Sequence, residues 1–157
     1  MTGRDKANAM PQPRTPSRSL VKWLARIHIE VNRLSGGRVG NKMQGFEVCF
    51  VTMTGAKSGR EITKPLMYVP YEDGVLLVAS LGGAPRNPAW YWNVLKYPDI
   101  EVRHRRQTMD LAARLATAAE KPSLWPICDE HFPPYAEYRA LTDRDIPIFV
   151  CEPRPHR

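Results

Sequence analysis

Hydrophobic residues change their spacing several times along this chain, and each change marks an element. From Arg18 to Leu34, the residues Leu20, Trp23, Leu24, Ile27, Val31 and Leu34 recur at three- and four-residue steps. At a helical turn angle they fall within a stripe about 100° wide, while Arg18, Lys22, Arg26 and Arg33 gather on the opposite side. Gly36-Gly37 ends this predicted helix. Residues 1–17 contain Pro11, Pro13 and Pro16, several polar residues and almost no apolar ones, the pattern of a disordered tail.

Beyond Gly37 the apolar positions come in short, dense runs. Phe46–Thr54, Ile62–Val69 and Val75–Ser80 read as strands, with Tyr71-Glu72-Asp73-Gly74 as the turn between the last two. Pro88 to Lys96 reads as a short helix, with Pro88 at an early position and Pro98 stopping it. Ile100–Arg106 and Thr108–Leu115 form a hairpin pattern. Ala118–His131 is helical in two pieces broken by Pro122 and Pro126, Tyr135–Leu141 is a helical turn or two, and Ile146–Cys151 is a final strand. Short strands in succession with few helices between them predict an antiparallel barrel, mainly β (α+β), in place of a doubly wound sheet. The expected organisation is a tail over residues 1–17 and one barrel domain over 18–157, with 18–34 an amphipathic N-terminal helix.

A length of 157 residues suffices for one core without staples. Cys49, Cys128 and Cys151 are odd in number and far apart, which argues against a disulfide framework or zinc site and for a reducing cytoplasm. No apolar stretch is long enough to span a membrane, and no signal peptide is evident. The net charge of +7 is uneven: residues 1–42 carry nine Lys/Arg against Asp5 and Glu30, and the rest balances. An anionic surface is therefore the expected partner of the N-terminal arm. Nucleic acid is not expected, because no strand alternates aromatics with Lys/Arg. Arg103-His104-Arg105-Arg106 reads as an exposed edge strand whose charges oppose aggregation. His28, His104, His131 and His156 have no ligand spacing, and no metal site is expected.

The candidate chemistry lies in two loops, each following a strand-like run. Thr52-Met53-Thr54-Gly55-Ala56-Lys57-Ser58-Gly59-Arg60 mixes glycine, hydroxyls and cations. Ser80-Leu81-Gly82-Gly83-Ala84-Pro85-Arg86-Asn87 runs into Pro88-Ala89-Trp90-Tyr91-Trp92-Asn93. Exposed backbone N–H groups beside a cation suit phosphate, and a glycine-bearing loop before an aromatic helix suits a flat ring. The first loop lacks P-loop spacing and joins two strands. Three consecutive aromatics on a helix cannot all face one core, so Trp90 is expected in the core, Tyr91 facing a cofactor, and Asn93 bonding a ring edge or phosphate.

These stretches, with Pro65-Leu66, Tyr135-Ala136-Glu137-Tyr138 and Thr142-Asp143-Arg144-Asp145-Ile146-Pro147-Ile148, resemble the deazaflavin-dependent nitroreductase and quinone reductase family of mycobacteria and other actinobacteria. The resemblance spans about Leu20 to Pro153. It implies a split β-barrel that binds the reduced deazaflavin coenzyme F420, in preference to FMN. It further implies hydride transfer to a quinone, an enone or a nitroaromatic. The implied cofactor site comprises Thr52, Thr54, Lys57, Ser58, Gly59, Arg60, Lys64, Ser80, Leu81, Gly82, Gly83, Arg86, Asn87, Trp90, Tyr91, Asn93 and Tyr135. Lys57 would hold the phosphate, and the Ser80–Gly83 loop would pass beneath the ring. Tyr135, Tyr138 and Ser80 are the implied catalytic groups; the two tyrosines stand at i and i+3, on one helical face. Phe132 stands where better-known members carry tyrosine, and Met67 where some carry an aromatic, which moves the expected acceptor toward quinone or enone.

An isoprenoid quinone would give the basic N-terminal helix a purpose, resting peripherally on the inner face of the cell membrane. The alternative is that its Leu20/Trp23/Ile27 stripe docks on the barrel. A non-catalytic flavin- or lipid-binding barrel is the remaining alternative for the whole chain.

Overall fold

The computed structural model describes residues 18–155. The expected tail over residues 1–17 and the last two residues lie outside the described residues. Elements run in the order α1 (Arg18–Leu34), β1 (Lys42–Met43), β2 (Phe46–Thr54), β3 (Glu61–Met67), β4 (Val69–Tyr71), β5 (Gly74–Val78), α2 (Ala89–Lys96), β6 (Asp99–His104), β7 (Gln107–Leu115), α3 (Lys121–His131), α4 (Pro134–Ala140) and β8 (Ile148–Pro153). A 3-10 turn, Leu81–Gly83, separates β5 from α2. The strands are antiparallel throughout and ordered β1-β2-β6-β7-β8-β5-β4, with β3 pairing β2 off this path. Only Tyr68 separates β3 from β4, so the two ends of the sheet are brought round toward each other as a split barrel. The expected fold class holds.

The apolar run of β5 has no polar alternation because both of its faces are covered. Val75 and Leu77 point into the barrel with Cys49, Val51, Met53, Ile100, Val102, Leu111 and Phe149. Leu76 and Val78 point outward under α3 and α4, with Leu124, Cys128, Phe132, Tyr135, Ile148 and Val150. Pro65 in β3 and Pro70 in β4 are tolerated because each of those strands has a single partner and can omit a donor on its open side.

Four elements differ from the sequence expectation. The predicted strand Ile62–Val69 is interrupted at Tyr68, whose N–H donates to the Glu47 carbonyl while its ring stacks on His104 at 3.5 Å. Pro122 occupies the first turn of α3, where its missing N–H costs nothing, and Pro126 lies inside the helix without ending it. Arg103–Arg106 is not an edge: β6 pairs with both β2 and β7. Its charges are placed instead, Arg103 over the Phe50 ring, and His104 and Arg105 on Glu47.

The fourth difference concerns α1. The sequence periodicity is right about the helix, yet its docking face is neither the apolar stripe nor the basic side. His28 meets Phe50 edge-on at 5.4 Å and its Nε2–H donates to the Gly40 carbonyl. Asn32 is completely buried and donates to the Val39 carbonyl (2.7 Å) and to Asn41 Oδ1 (2.9 Å). Docking of the stripe on the barrel is thereby overturned: Trp23 is 57% exposed and Ile27 40%. The side chains of Arg18 and Leu20 lie outside the described residues.

Candidate active site

Where β5 leaves the barrel, the chain makes a tight turn. Leu81, Gly82 and Gly83 all have positive φ, at 44°, 63° and 79°. Gly83 N–H donates to the Ser80 carbonyl and Ala84 N–H to Leu81. The N–H groups of Leu81 and Gly82 find no acceptor among the described residues. Glycine at 83 is required twice over. A Cβ there would stand 2.7 Å from the Tyr138 carbonyl oxygen, and the left-handed backbone disfavours any side chain. This close approach brings α4 against the turn. At Gly82, by contrast, a Cβ would meet no protein atom within 4 Å.

The turn forms one wall of a cavity of about 390 Å³. Ser80, Leu81, Gly82, Trp90, Tyr135 and Tyr138, all singled out in the sequence, converge on it, together with Met43, Gln44, Pro65, Leu66, Met67, Val78, Pro88 and Phe132. Such a space is mostly apolar and ring-sized, with a few polar groups that can fix orientation. The aromatic side is built from edge-to-face contacts: Phe132 with Phe46 at 4.9 Å, Phe132 with Tyr135 at 4.8 Å, and Tyr135 with Tyr138 at 6.4 Å. Arg139 braces it by stacking over Trp125 at 4.0 Å and making a two-pronged bond to Asp129 (2.8 and 2.6 Å), which ties α4 to α3. The hydroxyls of Ser80 and Tyr135 have no hydrogen-bond partner among the described residues. Burial above all, then the neighbouring Cys128, Cys49 and Tyr138, raises the Tyr135 phenol far above its ordinary value, so it keeps its proton.

The first loop sits beside this cavity and is joined to it by α2. Trp90, in the first turn of α2, lines the cavity and packs on Phe149. Asn93 Oδ1 accepts the Ala56 N–H at 2.9 Å, and Lys96 Nζ donates to the Ala56 carbonyl at 2.9 Å. At a helical rise of 1.5 Å per residue, Trp90 and Lys96 are about 9 Å apart along the axis. One helix thus spaces the loop from the cavity. Within the loop, Gly55 N–H donates to Arg60, Gly59 N–H to Gly55, and Arg60 N–H to Ser58 Oγ. The Lys57 and Ser58 N–H groups donate to nothing among the described residues, and Lys57, Arg60 and Lys64 are exposed and form no ion pair there.

The remaining sequence candidates are distributed around these two centres. Thr52 Oγ1 is bonded to Thr63 across the β2–β3 ladder at 2.9 Å, and Thr54 ends β2. Tyr91 is half-buried against Phe149 and Trp92, outside the cavity lining; Trp92 is exposed. Asn87 accepts from Arg144 at 2.5 Å, and Arg86 is exposed. Gln44 and Met43 enter the lining from the β1–β2 turn, which sequence reading missed because two-residue β1 has no periodicity to detect. A wider groove of about 920 Å³ lies elsewhere, around Asp73, Asp99, Asp110 and Arg154. It has no aromatic wall, and Arg154 already pairs with Asp99 and Asp110.

The molecule is thus an antiparallel split barrel with a ring-sized aromatic cleft beside a cationic loop. Residues 23–153 match the family model described as F420H(2)-dependent quinone reductase. The chain is 33% identical over 135 residues to an F420H(2)-dependent quinone reductase of Mycobacterium tuberculosis (strain ATCC 25618 / H37Rv), covering 83% of this chain and 91% of that one. Among solved structures it is similar to one titled an F420-H2 dependent reductase (42% identity, TM-score 0.62, covering 67% and 93% of the two chains). Another, titled a domain-swapped dimer, shares 37% identity with a TM-score of 0.65 over 85% and 99%. The chain belongs to the F420H(2)-dependent quinone reductase family: it is an oxidoreductase whose cofactor is coenzyme F420. The residues present fit that group, with unpaired cations and free N–H groups for an anionic arm and open space over Gly82 for a ring.

Proposed function

We propose that the 390 Å³ cavity is where a quinone is reduced at the expense of the deazaflavin. The observation that carries this reading is the convergence of Ser80, Leu81, Gly82, Trp90, Tyr135 and Tyr138 on one space, with the hydroxyls of Ser80, Tyr135 and Tyr138 unpartnered among the described residues. The reduced deazaflavin supplies a hydride, and the quinone takes that hydride and one proton to become a quinol. Lys57 and Arg60, with Ser58, Gly59 and Lys64 beside them, hold the cofactor's phosphate and acidic arm. Thr52, Thr54, Arg86, Asn87 and Asn93 shape the two loops around it. The Ser80–Gly83 turn supports the ring, with Trp90 and Tyr91 on the α2 side. Tyr135 gives a proton to the acceptor oxygen, with Ser80 beside it, and Tyr138 orients the acceptor. Phe132, Met67 and the other apolar walls exclude water, so positioning supplies most of the rate. Enones and nitroaromatics of similar size fit the same chemistry as secondary acceptors.

The protein works in the cytoplasm, with α1 resting on the inner leaflet to reach a lipid-dissolved quinone. The exposed Trp23, Leu24, Ile27, Val31 and Leu34 support this, because the barrel leaves them uncovered. Among the described residues no helix is long and apolar enough to cross a membrane.

The test is a titration of purified protein with coenzyme F420, followed by turnover of the reduced form with a soluble quinone. Binding and cofactor oxidation are expected, with no activity from NADPH. Turnover with NADPH alone, or no binding of F420, would sink the assignment.

A further inference from the structure

Arg144 makes an unusual set of contacts for a half-buried cation. Its Nε–H donates to the Ala84 carbonyl at 3.0 Å, and Nη1 donates to the Ala79 carbonyl at 3.1 Å and to Asn87 Oδ1 at 2.5 Å. Nη2 donates to the Ser80 carbonyl at 2.9 Å. Four of the five N–H donors of the guanidinium are thereby used. Three of them go to main-chain carbonyls at both ends of one turn. No carboxylate pairs with Arg144 among the described residues, so its partners there are carbonyl dipoles and one amide.

The clamped turn is the one that carries three successive positive φ values and only two internal hydrogen bonds. Leu81 is left-handed without being glycine or asparagine, a conformation that persists only where surroundings impose it. Arg144 is itself held rigidly. Its N–H donates to Thr142 Oγ1, Lys121 Nζ bonds both Asp145 and the Ile146 carbonyl, and β8 begins at Ile148. The turn's carbonyls at 79, 80 and 84 are thus engaged by Arg144, while the Leu81 and Gly82 N–H groups find no acceptor among the described residues.

We propose that Arg144 is the positioning residue of the active site, setting the height and tilt of the Ser80–Ala84 turn beneath the cofactor ring. It touches neither cofactor nor acceptor and acts through the turn. The proposal rests on the reading that this turn carries the ring. Lysine cannot replace it, because three donors on one point cannot span carbonyls at both ends of a turn. A misplacement of about 1 Å at the reacting centre costs on the order of 100-fold in rate. The signature is therefore slowed hydride transfer at saturating cofactor, over and above weaker binding.

The experiment measures the melting temperature, the F420 dissociation constant and the single-turnover oxidation of reduced F420 by menadione. Arg144→Lys is expected to fold and to bind F420 more weakly, because the ring's support shifts. Its single-turnover rate at saturating cofactor should fall by roughly 10- to 100-fold. Arg114→Lys is the control: the same exchange at an exposed ion pair with Glu120, outside the cavity lining, should leave both the dissociation constant and the saturated rate at wild-type values. An Arg144→Lys protein with the wild-type saturated rate overturns the proposal. If Arg144→Lys does not fold, Arg144→Gln, whose single amide can hold only one end of the turn, decides: a slower saturated rate supports the clamp, and an unchanged one overturns it. Wild-type protein that fails to bind F420 overturns the reading of the cavity instead, and is seen before any variant is made.

Discussion

Tyr135 shows how environment turns a common residue into a specific tool. Its ring is fixed by Phe132, Trp125 and Tyr138, and its hydroxyl has no hydrogen-bond partner among the described residues. Tyr135→Phe barely alters packing, so F420 affinity should stay within a few-fold. Turnover with quinone should drop by about 100-fold, the lower end of what a positioned proton donor contributes. Full activity in Tyr135→Phe would assign the proton to Ser80 or water. Because burial raises the phenol's pKa, deprotonation is delayed as pH rises. The rate should therefore show no alkaline limb near pH 10, the ordinary tyrosine range. Lys57 is the contrasting case, exposed and without an ion pair among the described residues. A hydrogen bond to a charged group is worth about 1.5–3 kcal/mol, and exposure places Lys57→Ala at the low end, roughly tenfold in dissociation constant by isothermal titration. An unchanged constant would move the phosphate to Arg60 or Lys64. Residues of this kind are legible in sequence because glycine, hydroxyl and cation cluster locally. Arg144 and Asn32 are not, since main-chain carbonyls are prominent among their partners, and those of Arg144 lie some 60 residues away.

Among the elements, long strands and α1 were legible from periodicity because their length averages out exceptions. The short pieces were not. β1, the break at Tyr68 and the 3-10 turn depend on tertiary partners that no local pattern encodes. Gly83→Ala tests the contact between that turn and α4. The substitution forces a Cβ toward the Tyr138 backbone and strains a left-handed residue, a combined cost of about 1–3 kcal/mol. The melting temperature should fall by about 3–8 °C, and quinone turnover should fall with it as Tyr138 is displaced. Unchanged melting and turnover would mean that the turn and α4 move independently. The entry to α3 offers a second test. Glu120 accepts the Thr117 N–H at 2.7 Å and binds Arg114 with both oxygens, while Thr117 Oγ1 accepts the Glu120 N–H. The Arg114 bond, then the Thr117 N–H, holds the Glu120 carboxyl down to about 2 from an ordinary 4.5. A depressed folded-state pKa contributes stability that is present above pH 4.5 and lost as pH falls toward 2. Acid unfolding of Glu120→Gln should be shallower than wild type in that window. Superimposable acid limbs would rule out this box as a contributor.

At the scale of the molecule, the barrel was legible because short strands without intervening helices leave few other ways to bury their faces. The docking of α1 was not. Its deepest contact, Asn32 in a network with Val39 and Asn41, is polar, and hydropathy assigns such a residue to solvent. The consequence is a helix with three faces: one docked through His28 and Asn32, one basic, and one apolar and uncovered. The docked face changes how membrane binding should be tested. Deleting residues through Leu34 would remove the His28–Phe50 and Asn32 contacts along with the stripe, and so confound folding with binding. Trp23→Glu with Ile27→Glu breaks the stripe while keeping the His28 and Asn32 contacts, since both side chains are exposed. Anionic vesicles should sediment the wild type at low salt and release much of it at high salt, because each nearby basic group contributes about 1 kcal/mol of screenable attraction. The double variant should remain in the supernatant and retain full activity on a water-soluble quinone, while losing activity on a quinone dissolved in the vesicles. Equal sedimentation of both proteins would leave the basic face alone as the contact. If the wild type also stays in the supernatant at low salt, α1 has no lipid surface to meet, and its stripe belongs to another partner.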